Sequence, residues 1–186
     1  YFDFYLLHNF GGPRSHFYDD FDLWDWVIEK KKEGKIKHIG LSTHGTAEEL
    51  DGLLTAHPEM EFVQLQLNYL DWESAEVQSK KCYEVAVKHN KPVIVMEPVK
   101  GGTLVNVPEE TRNAFLAYHP DMSVPSWAIR FAASLPNVKV VLSGMSTMEQ
   151  VVENVATAKN PIPMDEKAEK VIKDVMDDIN SFVTVP

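Results

Sequence analysis

The sequence predicts an α/β protein: an incomplete (β/α)8 TIM barrel of about five βα units with parallel strands, followed by a C-terminal helix. Three observations carry this expectation. Short, continuously apolar runs alternate with helical patterns, as strands buried on both faces of a parallel sheet do. The polar or unusual residues fall just after those runs, at His8, Ser42, Asn68, Glu97 and Gly144, where βα proteins gather their ligands. No early G-x-G-x-x-G turn is present, which favours the barrel over an open dinucleotide-binding sheet.

The first strand, Phe2 to Leu7, ends on His8 and the turn Asn9-Phe10-Gly11-Gly12-Pro13. Asp20 to Glu33 reads as a helix with Phe21, Trp24, Val27 and Ile28 on its inner side and Gly34 as its stop. Lys37 to Leu41 is the second strand, ending in Ser42-Thr43-His44-Gly45. Thr46 and Glu49 then form a capping box for a helix to about Ala56. Phe62 to Leu67 is the third strand, and Asn68 to Trp72 a loop. A helix from about Ser74 to His89 turns Cys82, Val85, Ala86 and His89 to one face, and Asn90-Lys91-Pro92 ends it. Val93 to Met96 is the fourth strand, followed by Glu97-Pro98-Val99-Lys100-Gly101-Gly102.

A short helix near Glu109 to Tyr118 precedes one that Ser123 and Pro125 start, with Val124, Trp127, Ala128, Phe131, Ala132 and Leu135 inward. The fifth strand, Val138 to Leu142, breaks at Ser143-Gly144 into a helix. Ser146 and Glu149 have the spacing of its capping box, and Met148, Val151, Val152 and Val155 recur on one face. Such a junction leaves N–H groups at a helix start, a seat for phosphate, although an ordinary βα loop explains the stretch alone more simply. After Asn160-Pro161-Ile162-Pro163 a last amphipathic helix, with Ala168, Val171, Ile172, Val175 and Ile179 inward, runs to about Phe182. Residues 1–160 therefore read as barrel and 161–186 as an appended helix.

With 186 residues and 44% hydrophobic content the chain can bury one real core. Its formal net charge of −10 argues against a nucleic-acid or anionic-membrane surface. No apolar run approaches the ~20 residues of a membrane span, and no secretory leader is visible. The single cysteine, Cys82, excludes an internal disulfide or a Cys-based metal site and fits a reducing, cytoplasmic setting. His16, His38, His57 and His119 show no paired metal-ligand spacing, so no metal is expected; His44 stands out because its loop borders the same strand ends as His8. The chain opens at Tyr1 inside a strand, with no initiator Met, and is expected to be a piece of a longer protein.

Five segments in order, YFDFYLLHN, IKHIGLSTHG, FVQLQLNYLDW, KPVIVMEPVKGG and VLSGMSTMEQVVENV, resemble the second half of an aldo-keto reductase barrel. They are most similar to the bacterial and archaeal members with a ferredoxin-like iron–sulfur domain after the barrel. There a segment like INSFVTVP leads into a run of cysteines; this chain stops at Pro186, before any appear. The resemblance implies NAD(P)H-dependent reduction of an aldehyde or ketone, by a Tyr proton donor assisted by Lys, Asp and His. Only the histidine has a matching position here, His8, so the chain alone is expected to be inactive.

His8 would stand at the barrel mouth and orient a carbonyl oxygen by a hydrogen bond. Taken without the family, it reads more simply as a surface histidine bonded to a loop. The resemblance implies that Ser42 and Thr43 hold the nicotinamide carboxamide, with Thr43 standing where Asn is usual. Gln64 matches a further amide partner of that group, and equally reads as a Gln bonded across the interior beside Gln66. Met96 replaces an aromatic residue that stacks on the nicotinamide, or else fills core. Glu97 replaces a small hydroxyl residue; it suits ribose hydroxyls or a place beside Lys100. Pro98, Val99, Gly101 and Gly102 are expected to let backbone approach the pyrophosphate.

By the same resemblance Gly144, Met145, Ser146 and Thr147 form the helix mouth for the adenosine phosphate, and Glu153 and Asn154 match an adenine-contacting pair. Gln150 occupies the place of an Arg that grips the 2′-phosphate in NADP-preferring members. An uncharged amide cannot supply that contact, so the cofactor is NADP or NAD with a lean to NADH. An iron–sulfur cluster is expected only in a longer protein. Two other readings stand beside this one: a nicotinamide-binding sensor without turnover, and an unrelated barrel lyase or hydrolase using Glu97 and His8 as acid and base. The expected partner is a small carbonyl substrate, and the chain is expected to self-associate through its open strand edges.

Overall fold

The computed structural model describes residues 1–13, 15–160, 162 and 164–182, with side chains to residue 177. Five parallel strands, β1 (Phe2–Phe10), β2 (Ile36–Thr43), β3 (Phe62–Gln66), β4 (Val93–Met96) and β5 (Val138–Val141), form one sheet in the order β1-β2-β3-β4-β5. Between them run α1 (Phe17–Asp20), α2 (Leu23–Lys32), α3 (Ala47–Ala56), α4 (Ser79–Lys88), α5 (Glu109–Tyr118) and α6 (Val124–Ser134). The last two helices are α7 (Met148–Lys159) and α8 (Glu166–Phe182). The expected α/β architecture and all five strands are present. Among the described residues no strand closes the sheet beyond β1 or β5.

Helix boundaries follow local chemistry. Thr46 Oγ1 accepts from the Glu49 N–H at 3.2 Å while Glu49 accepts from the Thr46 N–H at 2.7 Å, so the expected capping box starts α3. Gly34, at φ +74°, ends α2 in the left-handed conformation that suits glycine. The helix before it begins later than expected: Phe21 lies outside α2 and is 66% exposed, while Trp24 and Val27 are buried. α4 also begins later than expected, after a turn held by the Ser74 hydroxyl.

Alternation along the strands sends Leu7, Ile39, Leu41, Val63, Leu65, Val93 and Val95 outward, into a core with Val27, Leu50, Leu54 and Ala86 of the helices. A second core joins Tyr69, Leu104 and Phe115 to Trp127 and Ala128 of α6 and to Ala168, Ile172 and Val175 of α8. The expected inward face of the last helix is therefore real as far as Val175. Ile179 and Phe182 as packing residues, Pro161, Pro163 and the chain end at Pro186 lie outside the described residues.

The opposite sheet face carries Phe4, His38, Gly40, Ser42, Phe62, Gln64 and Met96. Phe4 stacks on His38 at 5.0 Å between centroids and meets Phe62 edge-on at 5.7 Å. Gly40 leaves room for the Phe62 ring: a Cβ there would lie 2.6 Å from Cε2 and from the Phe62 carbonyl oxygen. Gly40→Ala is expected to cost about 2 kcal/mol, because the backbone oxygen cannot yield as a side chain can. A urea midpoint equal to that of the parent would contradict it.

One expected packing face is corrected. Met148, Val152 and Val155 of α7 are 69%, 62% and 44% exposed, and only Val151 is partly covered. α7 packs on α6, and a groove of about 560 Å³ separates it from the marginal strand β5.

Candidate active site

Parallel pairing puts every strand end on one rim. Leu7 pairs with Leu41, Ser42 with Gln64, Gln66 with Met96, and Val95 with Val141. Between Leu7 and Phe10 the register shifts, so His8 and Asn9 together oppose Ser42. Asn9 takes φ +70° at this bulge. Bulges re-aim side chains and release a backbone group from the ladder. Here the Asn9 N–H donates to Ser42 Oγ at 2.9 Å, and His8 Nδ1 lies 3.1 Å from the same oxygen. Tyr18 Oη donates to the His8 carbonyl at 2.6 Å and fixes that stretch. Ser42 is fully buried, whereas His8 is exposed at the rim.

A polar network lies next along the rim, at the end of β3. Asp71 is buried, takes Lys100 Nζ on one oxygen at 2.5 Å, and accepts Gln66 at 3.0 Å and Asn68 at 2.8 Å on the other. Asn68 accepts the Asp71 N–H, three residues on, and donates to the Glu97 carbonyl. Burial pushes the Asp71 carboxyl up, but Lys100, Gln66 and Asn68 together outweigh it and hold it below the usual range. This network was not expected. Lys100 pairs with Asp71 rather than standing beside Glu97. The spacing of Asn68 and Asp71 was the one sequence signal that could have found it.

The network anchors the loop Glu97–Gly102, in which Glu97, Lys100, Gly101 and Gly102 all have positive φ. Glu97 itself is exposed. That loop is one side of a cleft of about 510 Å³. Met96, Glu97, Pro98, Val99, Gly101 and Gly102 line it from β4, and Gly144, Met145, Gln150, Glu153 and Asn154 from the β5–α7 side. Ser42, Thr43, Gln64, Ser146 and Thr147 are not among its lining residues.

The family model for the aldo/keto reductase family matches residues 1–173. The chain belongs to this family.

No curated protein matches the chain. Among solved structures, the aldo-keto reductase AKR11C1 from Bacillus halodurans, in its holo form, superposes with a TM-score of 0.70 at 20% identity, over 93% of this chain and 60% of that one. An aldo/keto reductase from Klebsiella pneumoniae in complex with NADP and acetate gives 0.72 at 17%, over 94% and 58%. One from Brucella melitensis gives 0.70 at 20%, over 93% and 60%. At these identities the likeness establishes the fold, that of the aldo/keto reductase TIM barrel. The chain spans about 60% of the length of the structures it matches.

Within this aldo/keto reductase sheet, the expected residues divide. His8 and Ser42 meet directly. Thr43 Oγ1 instead donates to the Phe10 carbonyl at 3.2 Å and accepts from the Gly45 N–H, and it is buried. Its hydroxyl holds the loop, so it is not a second free group beside Ser42. Gln64 Nε2 lies 3.4 Å from Met96 Sδ on the neighbouring strand. Asn154 donates to Ser143 Oγ at 3.0 Å. His44 is exposed, and its N–H donates to the Phe10 carbonyl.

The capping of α7 is corrected by one residue. Thr147, not Ser146, is the N-cap, and Gln150, not Glu149, completes the box. Adjacent Ser-Thr and Glu-Gln pairs allow either register. Gln150 Oε1 accepts the Ser146 N–H at 2.7 Å and the Thr147 N–H at 3.2 Å. The backbone donors expected to await a phosphate are therefore held by a side chain of their own helix. No group of three or more metal-binding side chains occurs among the described residues. None of their helices is long and apolar enough to cross a membrane.

Proposed function

We propose that this chain is the cofactor-gripping and carbonyl-orienting part of an NAD(P)H-dependent oxidoreductase that reduces an aldehyde or ketone. The observation that supports it is the shared rim: the His8–Ser42 contact and the cleft between β4, β5 and α7 open on the same end of one parallel sheet. The cleft fits a dinucleotide in kind, because its β4 side is a loop of positive-φ backbone, with Gly101 and Gly102, that lets a phosphate approach closely. A nicotinamide cofactor supplies the hydride when bound. His8 supplies a ring N–H that holds and polarises the carbonyl oxygen, and Gln64 supplies an amide that can meet a carboxamide.

In this reading the chain by itself reduces no carbonyl, since His8 is the single member of the family's catalytic set with a match in it, and residues that act as a unit fail together. Kinship with the members carrying a ferredoxin-like domain rests on the five quoted segments. Iron and sulfide analysis of the longer protein tests it. A cytoplasmic site rests on the lone, buried cysteine.

Cofactor choice follows from Gln150. Its carbonyl oxygen faces the Ser146 and Thr147 N–H groups, and an amide brings no positive charge to a 2′-phosphate. The full-length enzyme is expected to bind NADH at least as well as NADPH. Gln150→Arg is expected to shift the ratio of dissociation constants toward NADPH by about tenfold, the scale of one charge-assisted contact. Tight, strongly NADPH-selective binding by the parent enzyme would defeat this assignment. Absence of binding to either cofactor would defeat the reductase reading itself.

A further inference from the structure

We propose that Ser42 is a positioning residue that fixes the tautomer of His8, so that the ring presents Nε2–H at the rim. The proposal deepens the reductase reading only in its consequence for the carbonyl; the tautomer stands on geometry alone. A serine hydroxyl has one proton and two lone pairs. One lone pair of Ser42 Oγ is taken by the Asn9 N–H at 2.9 Å, the donor that the bulge releases from the ladder. The other neighbour of that oxygen is His8 Nδ1 at 3.1 Å. Ser42 has no exposed surface, so its proton has no access to water.

Two arrangements satisfy the distance. If His8 carried its proton on Nδ1 and donated it, Oγ would accept twice and its own proton would be buried without an acceptor. A buried donor left unmatched loses its water partner and gains nothing in return. If instead Ser42 donates to a bare Nδ1, all three groups are matched, and the ring proton must sit on Nε2. His8 is exposed at the strand end, where a carbonyl oxygen needs a donor. The second arrangement therefore wins, because only there does the buried Ser42 proton find an acceptor. Tyr18, donating to the His8 carbonyl at 2.6 Å, holds the backbone from which the ring hangs.

This separates two duties for Ser42. As a carboxamide contact it would act on the cofactor; as a tautomer lock it acts on His8. The first test is a long-range proton–nitrogen spectrum of the histidine-labelled chain at a pH where the ring is neutral, with His8 assigned by His8→Asn. An Nε2–H tautomer in the native chain is the expected result, and an Nδ1–H tautomer overturns the proposal whatever any variant does. Ser42→Ala, checked for folding by circular dichroism, should mix the tautomers, and an unchanged pure Nε2–H ring would overturn it too. In the full-length enzyme Ser42→Ala is expected to lower kcat/KM for the carbonyl by about tenfold to a hundredfold, as misaimed groups do. Weakened cofactor binding with the tautomer intact would assign Ser42 to the carboxamide instead. Failure of the full-length enzyme to bind any nicotinamide would end the reductase reading, while the tautomer seen in the spectrum would still decide whether Ser42 orients His8.

Discussion

Asp71→Ala is expected to destabilise the chain by about 3 kcal/mol and to loosen the loop that lines the cleft. Removing one partner of a buried ion pair costs about 3–5 kcal/mol; Lys100, at 32% side-chain exposure, retains some water, which places the expectation at the low end. The loss is not confined to Lys100. Asn68 and Gln66 donate to the same carboxylate, and Asn68 also reaches the Glu97 carbonyl, so the ends of β3 and β4 relax together. The sign with pH follows from the depressed carboxyl. Its contribution is full above about pH 4, the ordinary range of an aspartate, and is lost as pH falls through the lower folded value. Urea midpoints between pH 7 and pH 3 should therefore fall more steeply for the parent than for Asp71→Asn. Parallel curves would mean that the pair contributes nothing to the fold. Lys100→Met should weaken cofactor binding in the full-length enzyme more than it lowers the midpoint, because it frees the loop while leaving Asp71 two of its donors.

The strands and most helices were legible because the chemistry that builds them is periodic. Val63 and Leu65, or Val93 and Val95, can only be buried outward once helices cover them. The capping box at Thr46 and Glu49 was legible for the same reason: both partners lie within four residues. What escaped depends on partners far away in sequence. The bulge at His8 and Asn9 is bonded to Ser42 on the next strand, and only the tolerance of Asn for positive φ hinted at it. Asp71 was read as loop because its cation, Lys100, lies beyond another strand. α7 was read by its apolar stripe, yet an amphipathic stripe says which face wants cover, not whether cover is there. For the candidate site, residue types at strand ends located His8, Ser42 and the cleft, while the reassignment of the Thr43 and Gln150 side chains to local hydrogen bonds required coordinates.

Those uncovered surfaces lead to the second large effect: the chain is expected to associate with further copies of itself. β1 is an edge strand of nine residues with Phe2 and Phe4 61% and 63% exposed, and the far margin adds Val140 and Leu142, each 44% exposed. Long apolar edges template pairing with another chain. The two edges differ in how well they are blunted. β5 has only four residues and carries Lys139, whereas the Leu7–Phe10 bulge interrupts β1 only at its rim end, leaving its first half flat. Pairing is therefore expected through the Phe2–Leu6 half of β1, with the Phe4 face buried between copies. A stable contact needs about 800 Å² from each partner; an edge strand together with the adjoining inner face supplies surface of the right kind. The net charge of −10 opposes it, but at 0.1 M salt charges more than about 10 Å apart are largely screened. Association should accordingly tighten with salt, the reverse of what a surface ion pair would do. Light scattering over a concentration series at low and high salt measures this directly, and Phe4→Lys should reduce the mass while Val140→Lys changes it less. A monomer at high concentration and high salt would mean that the bare face is tolerated by water, contrary to the packing argument.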